Sequence, residues 1–192
     1  MSAPAVASGT VYFGSEGGIV YALDAANGRI LWKNTDAAMT PIFGAVAVAN
    51  GLVYFGANDG ILHAIDASTG KRVWSAQSNN PVAQIRCAPT VANGSVYAAF
   101  NTGDVLAANA QNGTIAWTAA TSAAGIVEAS PALANGVLYV AAEDDNLYAF
   151  NAATGTLLNK ISLSVFLSSP AVSNAHVYIG SFADHQVRAY GL

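Results

Sequence analysis

Side chains able to do chemistry are sparse in this 192-residue chain, which holds seven Lys and Arg, eleven Asp and Glu, three His and one Cys. The densest acidic run is Glu143-Asp144-Asp145-Asn146, where Asp144, Asp145 and Asn146 offer two or three oxygens from one loop. Calcium takes about 6–8 oxygens converging on one point, so this run reads as a solvated hairpin. His63, His176 and His185 do not cluster: His63 reads as a packing residue, His176 as exposed and His185 as part of a turn beside Asp184. An isolated imidazole lacks the convergent partners of a ligand or a base. The lone Cys87 excludes an intrachain disulfide framework and any multi-cysteine metal site. Neither a Gly-x-Ser-x-Gly elbow nor a phosphate-binding glycine loop is present. The sequence therefore assigns no catalytic residue and no metal ligand.

One pair of opposite charges stands apart. Phe43, Arg86, Glu128 and Leu167 each lie three residues before a recurring position held by Val46, Pro89, Pro131 and Pro170. Gly44, Cys87, Ala129 and Ser168 follow them. Arg86 and Glu128 thus occupy equivalent positions in adjacent units, in a chain with only 9% charged residues. They read either as an ion pair closing a central channel or as a polar handle for a small acidic or zwitterionic ligand or a partner loop, since Arg binds carboxylates bidentately. The ligand-binding candidates are Arg86, Glu128, Cys87 and Phe43.

The elements that must position these residues are repeats. Tyrosines recur at Tyr12, Tyr54, Tyr97, Tyr139 and Tyr178, at intervals of 42, 43, 42 and 39. Trp32, Trp74 and Trp117 keep the same step, and Asn159 holds the next position. Pro4, Pro89, Pro131 and Pro170 stand eight residues before a tyrosine. Repeats accordingly run over approximately 4–44, 45–87, 88–129, 130–168 and 169–192.

Each unit reads as four short strands. The first, such as 131–134, ends at Asn50-Gly51, Asn93-Gly94 or Asn135-Gly136. Asn-Gly suits a two-residue hairpin because both residues tolerate positive φ. The second strand covers 11–15, 53–57 and their equivalents, and the third covers 19–24, 61–66 and 146–151. Next comes the most regular turn: Asp24…Gly28, Asp66…Gly70, Asn109…Gly113 and Asn151…Gly155. There an Asp or Asn side chain bonds backbone N–H groups ahead of it and the glycine takes the left-handed conformation. The fourth strand carries the tryptophan four residues after that glycine.

Units of about 40–45 residues with four strands each indicate an all-β fold, a β-propeller. Stacked blades cover both sheet faces, which accounts for 53% hydrophobic residues without strict alternation. The same composition excludes disorder. No apolar run approaches the about 18 residues of a spanning helix. A net charge of −4 with no basic cluster argues against nucleic-acid binding. Ahead of the first repeat there is no charged start or apolar stretch of a signal peptide, so the protein is expected either to be cytoplasmic or to have lost a leader.

Ala22-Leu23-Asp24…Asn27-Gly28…Trp32 and Ala64-Ile65-Asp66…Thr69-Gly70…Trp74 resemble the tryptophan-docking repeat of PQQ-like propellers. That repeat is known from pyrroloquinoline quinone (PQQ)-dependent alcohol dehydrogenases and from outer-membrane assembly propeller lipoproteins. The third repeat departs at Ala108-Asn109, the fourth at Asn159, and the fifth stops before a fourth strand. The resemblance implies a propeller of five PQQ-like four-stranded repeats, the last incomplete, in a periplasmic or secreted protein. It implies structural roles for Trp32, Trp74, Trp117, Asp24, Asp66, Gly28, Gly70, Gly113 and Gly155. In the resembled dehydrogenases PQQ lies beneath a disulfide between adjacent cysteines, beside calcium and an aspartate base. Cys87 has no cysteine neighbour.

Repeats identify a fold, not an activity. The leading expectation is a non-catalytic binding or scaffolding propeller without cofactor, taking a protein partner or small ligand at its face. The alternative is a fragment of a PQQ-dependent dehydrogenase whose cofactor and metal ligands lie elsewhere. Five repeats are further expected to close directly, the first blade against the fifth, since propellers span about 4–8 blades; otherwise the segment self-associates or docks on further blades.

Overall fold

The computed structural model describes residues 2–37, 39–121, 127–163, 168–181 and 185–191. They build five antiparallel sheets, each a meander in chain order. The first sheet holds β1 (Ala5–Ala7), β2 (Thr10–Gly14), β3 (Val20–Asp24) and β4 (Ile30–Asn34). The second holds β5 (Ala47–Ala49), β6 (Leu52–Gly56), β7 (Ile61–Asp66) and β8 (Arg72–Gln77). The third holds β9 (Thr90–Ala92), β10 (Ser95–Ala99), β11 (Asp104–Asn109) and β12 (Ile115–Ala120). The fourth holds β13 (Ala132–Ala134), β14 (Val137–Ala142), β15 (Asn146–Asn151) and β16 (Leu157–Ser162). In the fifth, β17 (Ala171–Ser173), β18 (His176–Gly180) and β19 (Val187–Gly191) make three strands. These are the blades of a propeller, and the short strands β1, β5, β9, β13 and β17 contact one another in succession on the inside.

The hairpin joining the first two strands of each blade has positive φ at both central residues: Ser8-Gly9, Asn50-Gly51, Asn93-Gly94, Asn135-Gly136 and Asn174-Ala175. This is the backbone an Asn-Gly turn favours. The second strand begins one residue earlier than the sequence pattern suggests, because Leu52 pairs with Asp66 across the hairpin.

A feature the periodicity does not reveal lies in the fourth strand. Trp32 pairs with Ala22 and Ile30 with Leu23, so Leu31 is an extra, bulged residue. The same register shift recurs at Val73, Ala116 and Leu158. A bulge re-aims the strand beyond it. It leaves Tyr12, Ala22 and Trp32 in one cross-strand row, with Tyr54-Ala64-Trp74 and Tyr97-Ala107-Trp117 repeating it. The central alanine lets the two rings approach, with centroids 5.8, 5.9 and 6.0 Å apart.

Each row faces the following blade, whose opposing face supplies the other half of the core. Val53, Phe55, His63 and Ile65 of the second blade, Val96, Ala98, Leu106 and Ala108 of the third, and Leu138, Val140, Tyr148 and Phe150 of the fourth are all at most 2% exposed. Val11, Phe13, Tyr21 and Leu23, the same positions in the first blade, are only half-buried. At the other end, Val187 on the outer face of the fifth blade is 75% exposed. Core clusters join the first blade to the second, the second through the fourth, and the fourth to the fifth. The expected direct closure is therefore not what forms: among the described residues no cluster joins fifth to first, and the five blades make an open arc.

Candidate functional site

Three chemically identical seams organise the rim. The indole Nε1 of Trp32 donates to the Ala67 carbonyl (3.0 Å), that of Trp74 to Ala110 (2.9 Å) and that of Trp117 to Ala152 (2.9 Å). The hydroxyls of Tyr12, Tyr54 and Tyr97 donate to the same three carbonyls. Each indole also lies on the turn glycine of the next blade: a Cβ on Gly70 would fall 2.6 Å from Trp32, on Gly113 2.7 Å from Trp74, and on Gly155 2.6 Å from Trp117. These glycines have φ near +70°, so close approach and backbone conformation both call for glycine.

Aspartates and asparagines hold the turns. Asp24 accepts from the Ala26 N–H and from Asn27 Nδ2. Oδ1 of Asp66 accepts from the backbone N–H and the hydroxyl of both Ser68 and Thr69. Those bonds favour the carboxylate and hold the Asp66 carboxyl down at about 2. Gly28, Gly70, Gly113 and Gly155 donate their N–H groups back to Asp24, Asp66, Asn109 and Asn151. The residues named as structural from the repeat pattern all sit in these turns and fourth strands; among the described residues no indole lies on Gly28.

The axial end is different in each blade. There Arg86 and Glu128 come together, with Arg86 Nη1 donating to Glu128 Oε1 at 2.9 Å. Both remain substantially exposed, at 37% and 49%. Gln84, which the sequence reading missed, accepts from Arg86 Nε (3.2 Å) and Nη2 (2.9 Å). Gln84 is itself fixed, because its N–H donates to Asn101 Oδ1 and its carbonyl accepts from the Asn101 N–H. Its position two residues before Arg86 was a usable signal, since alternate residues of an extended segment share a side. The Ala88 N–H donates to Ser130 Oγ and the Ser130 N–H to Ser169 Oγ, stitching three inner segments together.

The other funnel candidates separate from this group. Cys87 turns into the core, 2% exposed, with Sγ donating to the Ala99 carbonyl. Burial pushes its thiol up to about 11, so Cys87 offers no thiolate to a ligand in the funnel. Phe43 is half-buried, and its neighbour Gly44 packs so tightly that a Cβ would lie 2.2 Å from the Cys87 carbonyl oxygen. Leu167 and Asp184 lie outside the described residues.

Among the isolated polar groups, His63 is buried and stacked on Phe55 at 4.7 Å, with Nε2 3.2 Å from Asp59 Oδ2. His176 is exposed and its Nδ1 meets the Asn174 carbonyl oxygen. Asp144 accepts from the Tyr148 hydroxyl and lies 3.9 Å from Lys160 Nζ. Among the described residues no three His, Cys, Asp or Glu side chains converge on a metal position. Nor do the described residues contain a helix long and apolar enough to cross a membrane.

The blades, bulges and docked indoles define a β-propeller of PQQ-like repeats. The sequence matches the family described as outer membrane protein assembly factor BamB over residues 1–129 and 120–191, and the chain belongs to that family. No curated protein is a significant match to the sequence. Its fold is similar to BamB from Moraxella catarrhalis (TM-score 0.81, 20% identity), aligning over 99% of this chain and 57% of that one. It is also similar to the computationally designed Ika8 protein (TM-score 0.84, 17% identity, 98% of this chain and 57% of that one). A third relative in fold is the quinohemoprotein alcohol dehydrogenase ADHIIG from Pseudomonas putida HK5 (TM-score 0.77, 23% identity, 100% of this chain and 42% of that one). The chain thus spans little more than half of the first of these structures.

Proposed function

We propose that residues 1–192 act as one unit, a segment of a non-catalytic scaffolding propeller on the periplasmic side of an outer membrane, and that its axial end holds an acidic loop of a protein partner. The family match, whose description concerns outer membrane assembly, supports the scaffolding role and the compartment. The observation that carries the contact is the Arg86 guanidinium: Gln84 and Glu128 hold it at the mouth while it stays 37% exposed. An arriving carboxylate competes with Glu128 for Nη1 and gains the fork geometry of arginine. Chemistry-capable side chains elsewhere are tied into turns and seams: Asp66 caps a turn, His63 stacks on Phe55, and Cys87 is buried as a thiol.

The test is a titration of the isotope-labelled chain with a short Asp- and Glu-containing peptide, following the Arg86 Nε–Hε resonance and the peptide's own signals. Saturable binding should vanish in Arg86→Ala and tighten in Glu128→Gln. Equal peptide binding by wild type and Arg86→Ala overturns the assignment.

The likeness to quinoprotein dehydrogenases prompts a second reading, a dehydrogenase segment. The residues present do not fit a PQQ–calcium site: Cys87 cannot form a disulfide between adjacent cysteines, and the Asp144 carboxylate already serves Tyr148 and Lys160. Equilibrium dialysis of the chain with PQQ and Ca²⁺ is expected to show no stoichiometric retention at micromolar concentration; retention supports the dehydrogenase reading.

A further inference from the structure

We infer that the groove between the second and third blades, at the start of β11, binds a primary alkylammonium group, the head of a lysine side chain or of a free alkylamine, with Asp104 as its counter-charge.

The groove has a volume of about 600 Å³, and its walls include Asn80 and Pro81 of the connection after β8 and Asp104, Thr118 and Ala120 of the third blade. Asp104 and Thr118 stand on one sheet face, because Asp104 pairs with Ala120 and Leu106 with Thr118. Asp104 is half-buried, and its Oδ2 accepts from the Thr102 hydroxyl at 2.7 Å and from Asn80 Nδ2 at 3.3 Å. Both donors are neutral, so they orient the carboxylate without cancelling its charge. Among the described residues no Lys, Arg or His nitrogen lies within ion-pair reach of Asp104, and its Oδ1 takes no hydrogen bond.

The other blades show what this face holds when the chain fills it itself. Opposite Tyr21, His63, Leu106 and Tyr148, at the same position of successive blades, stand Lys33, Ser75, Thr118 and Lys160. Lys33 Nζ lies 5.2 Å from the Tyr21 ring centroid. Lys160 Nζ lies 5.1 Å from the Tyr148 centroid and 3.9 Å from Asp144 Oδ2. The second blade has serine in the lysine position, but His63 itself supplies the nitrogen, 3.2 Å from Asp59 Oδ2. In the third blade the residues at this position are Leu106 and Thr118, neither of which brings a positive charge to Asp104. The missing group is therefore an ammonium, and the groove is open where its stem would run. Pro81 and Ala120 offer apolar wall to methylenes, as a lysine stem requires. One carboxylate supplies too few oxygens for calcium, which takes about 6–8.

The experiment titrates the isotope-labelled chain with two probes, Nα-acetyl-lysine-N-methylamide and cadaverine, at constant ionic strength, following backbone amides. Saturable shifts are expected at Asn80, Asp104, Thr118 and Ala120, with dissociation constants in the millimolar range, since a solvent-accessible charge contact is weak. Asp104→Asn should weaken both probes about fivefold. Thr118→Lys gives the third blade the residue of the first and fourth, and should abolish the shifts by filling the groove from within. Thr118 is exposed, so the substitution leaves the packing of the blade intact, and unchanged amide positions elsewhere report the fold of both variants. Tighter binding of the lysine amide supports a lysine side chain as the natural ligand, and tighter binding of cadaverine supports a free amine. Neither probe carries a carboxylate, so the outcome is independent of the contact assigned to Arg86. The inference falls if no saturable shift appears in the groove, or if Asp104→Asn binds the probes as wild type does. It falls equally if ammonium chloride, or the norleucine analogue that lacks the ammonium, shifts the same amides to the same extent.

Discussion

The seams at the rim and the connections at the axial end are built from the same repeats, yet they follow opposite rules. At the rim one solution is used three times: an indole on a glycine, one carbonyl shared by Trp and Tyr, and an alanine between the rings. At the axis the equivalent positions hold Phe43, Arg86 and Glu128, and their neighbours Gly44 and Cys87 differ in size and polarity. Blade stacking is a nearest-neighbour problem, so a good seam can be copied around the arc. The axial segments solve no shared packing problem, and variation there is free to follow a ligand.

The strongest test of this contrast removes an indole. Trp74→Ala opens a cavity in a buried seam and should cost about 3–5 kcal/mol in urea unfolding. Asn159→Ala, at the same repeat position but exposed, should stay within about 0.5 kcal/mol. Equal losses at the two positions would break the distinction between docked and undocked fourth strands.

At the axis the expected effect is smaller. The Arg86–Glu128 pair is short at 2.9 Å, but with 37% and 49% exposure solvent screens it. A double-mutant cycle on Arg86→Ala and Glu128→Ala should therefore give a coupling of about 0.2–1 kcal/mol that shrinks in high salt. A desolvated pair would behave differently, since losing one partner would leave the other charge buried and unpaired and cost more than losing both. A coupling well above that range would mark such a pair and make the axial end a stability element like the rim.

The smallest effect is expected at the turns. Asp66 titrates at about 2 in the folded chain against an ordinary 3.8. Its contribution is thus fully present above about pH 4 and is lost as pH falls through about 2. The group is solvent-accessible, so the change is slight. Urea midpoints at pH 5 and pH 2.5 should differ more for wild type than for Asp66→Asn, and identical pH dependence would show that the turn bonds do not favour the carboxylate.

Much of the rim was legible beforehand because its markers are local and periodic. Tyr, Trp, Asn-Gly and the Asp-to-Gly turn recur at a fixed step, and each has a backbone or packing reason to be that residue. The bulges at Leu31, Val73, Ala116 and Leu158 were not legible, since an extra residue in a strand leaves no composition signal. At the axis, equivalence by repeat position was enough to place Arg86 beside Glu128. It was not enough for Cys87: repeat position aligns backbones, whereas the direction of a side chain in a connecting segment depends on the local path, which here turns the thiol into the core.

By itself the sequence determined the strands, the turns and their order, because those follow from short-range conformational preferences repeated every 42 or so residues. Only the tertiary structure decided whether the blades close. Closure depends on how each blade packs on the next through rows such as Tyr54-Ala64-Trp74, contacts between residues far apart in the sequence. No single repeat encodes those contacts. The result is an arc in which, among the described residues, a Cβ on Gly28 would meet nothing within 4 Å, whereas one on Gly70, Gly113 or Gly155 would strike an indole.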